Sequence, residues 1–355
     1  MRATSSPHIH VREDWLALRS EEILEPELPI IDAHHHLWDR PGALYLFGEF
    51  LADIRSGHRI LASVYAQCRS MYRGFGPVEM RPVGEVEFVN GVAAQSASGL
   101  YGSFRACAAI VGFADLMLGD KAAPVLDALI QAGNGRLRGV RNTTAWHEHE
   151  AIRSNPQPPP PGLLASDCFR RGVRHLSTRN LSLDVWAYHT QLAELVDLVR
   201  QNPDLRVIVD HVGGPLGAGP YAGRRDEVFA EWKARMTELA ALPRVCVKLG
   251  GLGMNVSGFA FHERAAPPSS QELAEAWKPY IQTCIDLFGP DRCMFESNFP
   301  VDKGMFSYPV LWNAFKRITR DFSASEKASL YSGAAASVYR LTPAEIGATC
   351  ANEPN

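Results

Sequence analysis

From Pro29 onward the chain alternates short apolar runs with longer stretches in which apolar residues recur every three or four positions. The short runs are PIIDAHH (29–35), RILASVYAQ (59–67), FRACAAIVGF (104–113) and LRGVRNTTA (137–145), then SLDVWAY (182–188), RVIVDHVG (206–213), RVCVKLGG (244–251) and RCMFESNF (292–299). Most are continuously apolar rather than alternating, the pattern of parallel strands covered on both faces. The intervening stretches predict amphipathic helices. In 189–203, Leu192, Leu195, Val196 and Val199 fall on one helical stripe, and Pro203 stops it. In 225–239, Val228, Phe229, Trp232, Met236 and Leu239 do the same, and 271–289 ends at Gly289-Pro290. Stretches 121–133 and 307–322 are further helices.

Eight strands with helices between them predict a (β/α)₈ barrel over residues 29–341, distorted where 68–103 lacks a clear period. An open doubly wound sheet is disfavoured because no glycine fingerprint follows the first strand. Residues 1–28 read as an extension packed on the barrel, and 342–355 as a tail. A proline-rich insertion, 147–164, follows strand four and either covers the site or is an inert surface excursion.

Composition narrows the class of function. Among 355 residues, 46% are hydrophobic and 21% charged, and the net charge is −3. Nothing there attracts nucleic acid or an anionic membrane. No apolar run approaches the roughly 18 residues of a membrane span. The N-terminus is too polar for a secretory leader, and seven scattered cysteines without a C-x-x-C pair suit a reducing cytoplasm. The expected partner is a small molecule, with a homo-oligomer left open.

The chemistry concentrates at strand ends. In a strand, residues i and i+2 face one way, so His34 and His36 enter the barrel mouth together while His35 points outward. Paired imidazoles are half a site for zinc or manganese, or merely a hydrogen-bonded strand end. His211 ends strand six before two glycines, and His189 follows strand five, where a cap or surface role is the plain alternative. His147 and His149 lie among glutamates in the insertion and read as solvated. Arg141 ends strand four and Lys248 strand seven; each is a holder of an anionic substrate or one half of an ion pair with Glu296 or Asp210. Gln67 ends strand two, where it hydrogen-bonds either substrate or merely a loop, and Tyr72 and Arg73 just beyond are further substrate-binding candidates.

The motifs DAHHHLWD, YHTQL, VIVDHVGGP, VKLGG and SNFPVDK, in this order, resemble the amidohydrolase-related family of TIM-barrel hydrolases, in the branch of sugar lactonases and 2-pyrone-4,6-dicarboxylate lactonase. The resemblance runs from about Ile30 to Leu341. It implies that His34, His36, His189 and His211 are the strand-end histidines of the active site, with His34, His36 and His211 as metal ligands. It also implies a Ser-Asp-Trp-Pro at the end of strand eight, where this chain has Ser297-Asn298-Phe299-Pro300. An amide cannot take a proton from water or neutralise a cation as a carboxylate does. The expected metal is therefore weak or absent. Glu296, of the same strand parity, or Asp302, reaching back, could supply the missing carboxylate.

The function expected is opening of a small carboxylated lactone by activated water, with Lys248, Asn298 or a metal stabilising the oxyanion and Arg141 holding a carboxylate. Two alternatives stand beside it: decarboxylation of an aromatic or muconate-like acid, and a silent barrel that only binds a metabolite.

Overall fold

The computed structural model describes residues 6–347; most of the expected C-terminal tail lies outside the described residues. Eight parallel strands form one sheet in sequence order: β1 (Ile30–His35), β2 (Ile60–Ala66), β3 (Arg105–Gly112), β4 (Leu137–Thr143), β5 (Ser182–Trp186), β6 (Val207–Val209), β7 (Val245–Leu249) and β8 (Cys293–Phe295). The ring closes where β8 meets β1. There Asn298 N donates to His34 O at 2.9 Å, and His36 N to Phe299 O at 2.8 Å. Below them Ser297 N donates to the Asp32 carboxylate at 2.8 Å. The architecture is the (β/α)₈ barrel, with helices between the strands.

Strands β6 and β8 stop well short of the apolar runs that predict them, because their last residues turn into the mouth. His211 and Asn298 both have φ of +54°, the left-handed region, just beyond β6 and β8. The region 68–103 is more regular than expected: it contains the helix Val83–Ala97, whose buried Val83, Val86, Val89 and Ala93 follow helical spacing. Its two glycines and its many β-branched residues hide that helix in the sequence. A small hairpin (Trp38–Arg40 with Ala43–Tyr45) and the helix Phe47–Ile54, neither expected, lie between β1 and β2.

Helices bury one large apolar layer against the outside of the strands. A smaller cluster, including Ile31, Val64, Val111, Ile208 and Met294, sits apart from it with Val338 and Tyr339 of the C-terminal segment. The Tyr339 hydroxyl donates to Asp184 at 2.7 Å, so that segment lies directly beneath the charged residues of the site. Among the described residues, no helix is long and apolar enough to cross a membrane. The six cysteines described are free.

Candidate active site

Strand parity builds the site. Arg141 on β4, Asp184 and Trp186 on β5, Asp210 just past β6, Lys248 on β7 and Glu296 just past β8 converge from strands that are not all neighbours, which only inward-facing side chains can do. His34 and His36 join them as expected, with Nε2 atoms 3.3 Å apart. His35 points the other way, stacked on Phe50 with its Nε2 2.9 Å from Ser63 Oγ.

His34 is the buried hub. Its Nε2 lies 3.0 Å from Arg141 Nη1, and its Nδ1 lies 3.1 Å from both Lys248 Nζ and Glu296 Oε2. Lys248 pairs with Asp184 at 2.8 Å and with Asp210 at 3.1 Å, and Arg141 with Asp210 at 3.3 Å. Burial alone would lower the Lys248 pKa, but the two aspartates hold it raised. Burial would raise Asp210, but Lys248 and His34 keep it well below the carboxylate range. Burial lowers His34, with Lys248 adding to the effect. The sequence left Arg141 and Lys248 open between substrate and internal partners; the structure gives both internal partners.

His211 differs from His34 by lining a cavity of about 510 Å³ at the C-terminal face of the barrel. Its Nδ1 lies 2.7 Å from Glu296 Oε1, which also accepts from the His211 backbone N–H at 3.1 Å. That carboxylate fixes the ring and leaves Nε2 as the free nitrogen. Glu296 is fully buried, and burial would raise its pKa; His211 and His34 instead bring it down to about 2. Gly251 makes this packing possible: a Cβ there would stand 2.4 Å from His211 Cγ.

Arg141, Gln67, His36 and Asn298 line the same cavity. Arg141 Nη2 donates to Gln67 O at 2.6 Å, while Gln67 Oε1 is buried without a hydrogen-bond partner among the described residues. His36 donates from Nδ1 to Ala66 O at 2.8 Å, which turns its Nε2 inward. Asn298 Nδ2 donates to Asp302 Oδ1 at 2.9 Å, so its amide oxygen is left for the cavity.

The remaining expected residues stand elsewhere. His189 does not join the cluster: its Nδ1 accepts from Leu216 N at 3.4 Å, and its ring meets Tyr221 and, at 3.8 Å, Glu231. It lies three residues beyond the end of β5, in a helical turn that carries it away from the mouth. Tyr72 packs near Phe113 rather than in the cavity. Arg73 pairs with the exposed Glu87. Asp302 does not reach the cavity but sits behind Asn298, also accepting from Gly253 N at 3.0 Å. Lys248 is fully buried beneath the cavity rather than lining it.

The donor group for a metal also changes. His34, Asp210 and His211 bring ligand atoms within 4.8 Å of one another; His36, expected as the third member, is not in this group. Two imidazoles and a carboxylate are donors zinc accepts. Sequence reasoning named Asp210 only as an ion-pair partner and missed Asp184 and Trp186. The signal was available in SLDVW and VIVDH, each a lone acid inside an otherwise apolar strand.

The proline-rich insertion reaches the cavity with Ser154, Asn155, Pro156 and Gln157. Ser154 Oγ accepts from Trp186 Nε1 at 2.9 Å and lies 2.7 Å from the Tyr188 hydroxyl. His147 bonds Tyr221 at its hydroxyl (3.1 Å), and His149 stays exposed.

An amidohydrolase family model matches residues 31–341. The chain is 32% identical over 337 residues to an uncharacterized protein, y4mH, of Sinorhizobium fredii, covering 89% of this chain and 99% of that one. It is 28% identical over 323 residues to an L-fucono-1,5-lactonase of Burkholderia multivorans, covering 88% and 96%. It also resembles the crystal structure of a Burkholderia multivorans amidohydrolase with bound zinc, at a TM-score of 0.63 and 26% identity, covering 88% of this chain and 99% of that one. A barrel with its buried acid–base cluster at the C-terminal face, and a family match across that whole barrel, establish that this chain belongs to the amidohydrolase family and is a hydrolase.

Proposed function

We propose that the chain opens a small lactone, with His211 as the general base. The observation that carries this is the Glu296–His211 pair, a buried carboxylate 2.7 Å behind an imidazole that lines the cavity. In that arrangement Glu296 holds the Nδ1 proton, and Nε2 is free to take one from water. The water oxygen attacks the lactone carbonyl, the carbonyl electron pair moves onto oxygen, and Arg141 stabilises the resulting oxyanion with its remaining N–H donors. Collapse of this intermediate breaks the bond to the ring oxygen. His211 returns its proton to that oxygen, giving a hydroxy acid. The named lactonase among the relatives supports this reaction class.

A divalent ion at the site would be held by His34, Asp210 and His211 and would polarise the carbonyl as a Lewis acid. The His211 Nε2 cannot serve as both ligand and base, and Arg141 and Lys248 already neutralise Asp210 and face both nitrogens of His34. We infer weak metal binding, with the neutral amide of Asn298 contributing only an oxygen. Elemental analysis after dialysis against chelator is expected to show well under one ion per chain. Asn298→Asp is expected to raise that content, because it adds an anionic ligand; a stoichiometric ion in the unaltered protein contradicts the inference.

A second reading concerns substrate charge. Arg40, Arg69 and Arg141 line the cavity, and no Asp or Glu is among the described residues lining it. That favours an acidic substituent on the lactone, as well as the carboxylate that opening creates. The test compares L-fucono-1,5-lactone with 2-pyrone-4,6-dicarboxylate by proton release. His211→Asn should lower kcat by about 10²–10⁴-fold on whichever is opened, with KM little changed. An unchanged kcat removes His211 as the base, and no turnover of either compound or of other small lactones removes the reaction.

A further inference from the structure

We propose that the segment Ser6–Val11 forms the roof of the substrate cavity and that His8 is a specificity-determining residue; this rests on the reading of that cavity as the lactone site. The family match begins at residue 31, so the roof is built from chain that the shared barrel does not supply.

Four observations carry the inference. Ser6 and His8 line the same cavity as His36, Gln67, Arg141 and His211. The His8 ring stacks on Trp38, with centroids 5.7 Å apart and 12° between planes, and Trp38 in turn stacks on His36 at 5.9 Å and 20°. An aromatic column therefore runs from the extension to the strand-end pair of β1. Pro7, His8 and Ile9 also line a small cavity together with Arg153, Ser154, Met254 and Val256, so the extension lies alongside the proline-rich insertion and the loop after β7. Finally, the segment has an outer face: a second cavity, about 410 Å³, lies between it and the hairpin Trp38–Tyr45. A strand of chain with space on both sides is a partition, not a filled part of the core.

The segment is nonetheless positioned by specific contacts. Ile9 rests where Gly304 has no side chain; a Cβ on Gly304 would stand 2.7 Å from both Ile9 Cβ and Ile9 O. Further along, Arg12 donates to His262 O at 2.5 Å, Trp15 to Arg264 O at 3.0 Å, and Lys303 pairs with Glu13 at 3.0 Å. Burial, and then the Arg40 charge, bring His8 down to about 4, so it is neutral at pH 7. A neutral imidazole offers one donor and one acceptor. That is the chemistry for a substrate hydroxyl or ring oxygen on the side of the lactone away from His211.

The experiment uses the full chain with His8→Ala, Gly304→Val and the control His10→Ala, a residue that is exposed and lines only the outer cavities. Two readouts are taken: kinetics on L-fucono-1,5-lactone, and alkylation of Cys68 by N-ethylmaleimide followed by peptide mass mapping. Cys68 lines the cavity under the roof. Burial pushes its thiol up to about 12, so alkylation is run at one alkaline pH for every variant, and the ratio of rates to the unaltered protein reports access without any substrate. His8→Ala should raise KM about 10-fold with kcat changed less than about 3-fold, the pattern of a lost binding contact. Gly304→Val, which wedges Ile9 away, should raise KM and speed Cys68 alkylation several-fold, and His10→Ala should change neither. A KM unchanged in His8→Ala overturns the proposal, as does an unchanged Cys68 rate in Gly304→Val. If Gly304→Val does not fold, His8→Ala decides on both readouts. If the unaltered protein opens no lactone, the reaction assigned above fails separately, and the Cys68 rates alone decide whether this segment roofs the cavity.

Discussion

Lys248 shows how one side chain's surroundings redirect its role. Its ammonium is fully buried and held by Asp184, Asp210 and His34 Nδ1, out of reach of a bound lactone. Its work is to neutralise two carboxylates and so to fix His34 between them. Lys248→Met should therefore act mainly on stability. It leaves Asp184 and Asp210 with their charges less well compensated, at a cost of about 3–5 kcal/mol. Urea unfolding should show that loss, whereas a residue that polarised the carbonyl would instead lose kcat with stability kept. Had the ammonium lined the cavity, the order of the two effects would reverse. Arg141, which shares Asp210 but lines the cavity, is expected to lose both.

At the scale of elements, one buried hydroxyl ties the insertion after β4 to β5, while His147 ties it to Tyr221 and Arg69 to Gln157 nearer the surface. Ser154 Oγ meets Trp186 Nε1 from β5 and the Tyr188 hydroxyl, both buried. Ser154→Ala leaves a buried indole N–H unpaired and should cost about 1–3 kcal/mol. Hydrogen exchange should rise across 147–164 before it rises in the strands; protection that stays unchanged there would mean the loop is held by packing and by its contacts to Tyr221 and Arg69. The strands were legible because a parallel strand buried on both faces must be apolar along its length, and the inward placement of His34 and His36 followed from parity alone. What parity cannot reach is the chain after a strand ends. His211 turns into the cavity through a left-handed residue two positions past β6, whereas His189 turns away in a helical turn three positions past β5. Both look alike in sequence as histidines after strands. The aspartates stand out as lone acids in apolar strands, but their partners do not. A buried acid is defined by the cation opposite it, and Asp184 and Lys248 are separated by 64 residues.

At the scale of the whole molecule, the N-terminal extension is tied to the barrel at a second place, far along the chain from the roof. Lys316, on the last long helix, donates at 2.8 Å to the carbonyls of both Leu24 and Glu25, and lies 2.9 Å from His58 Nδ1. His58 Nε2 lies 3.1 Å from Pro309 O, so the neutral ring donates there and accepts from the ammonium. Protonation would place two cations against each other in a buried spot. Burial first, and then Lys316, lower the His58 pKa from 6.5 to about 4. The sign follows from that direction. A histidine depressed in the folded state binds its proton more readily unfolded, so its contribution is full above pH 6.5 and is lost as pH falls toward 4. The span corresponds to on the order of 3 kcal/mol at 1.36 kcal/mol per unit. Urea unfolding of the full chain between pH 7 and 4 should show that decline, beyond what other groups contribute. His58→Gln keeps a donor for Pro309 and an acceptor for Lys316 but cannot titrate. It should flatten the slope of stability against pH by about one proton over this window. A slope identical to that of the unaltered protein would mean that the clasp between extension and barrel does not depend on the charge of His58.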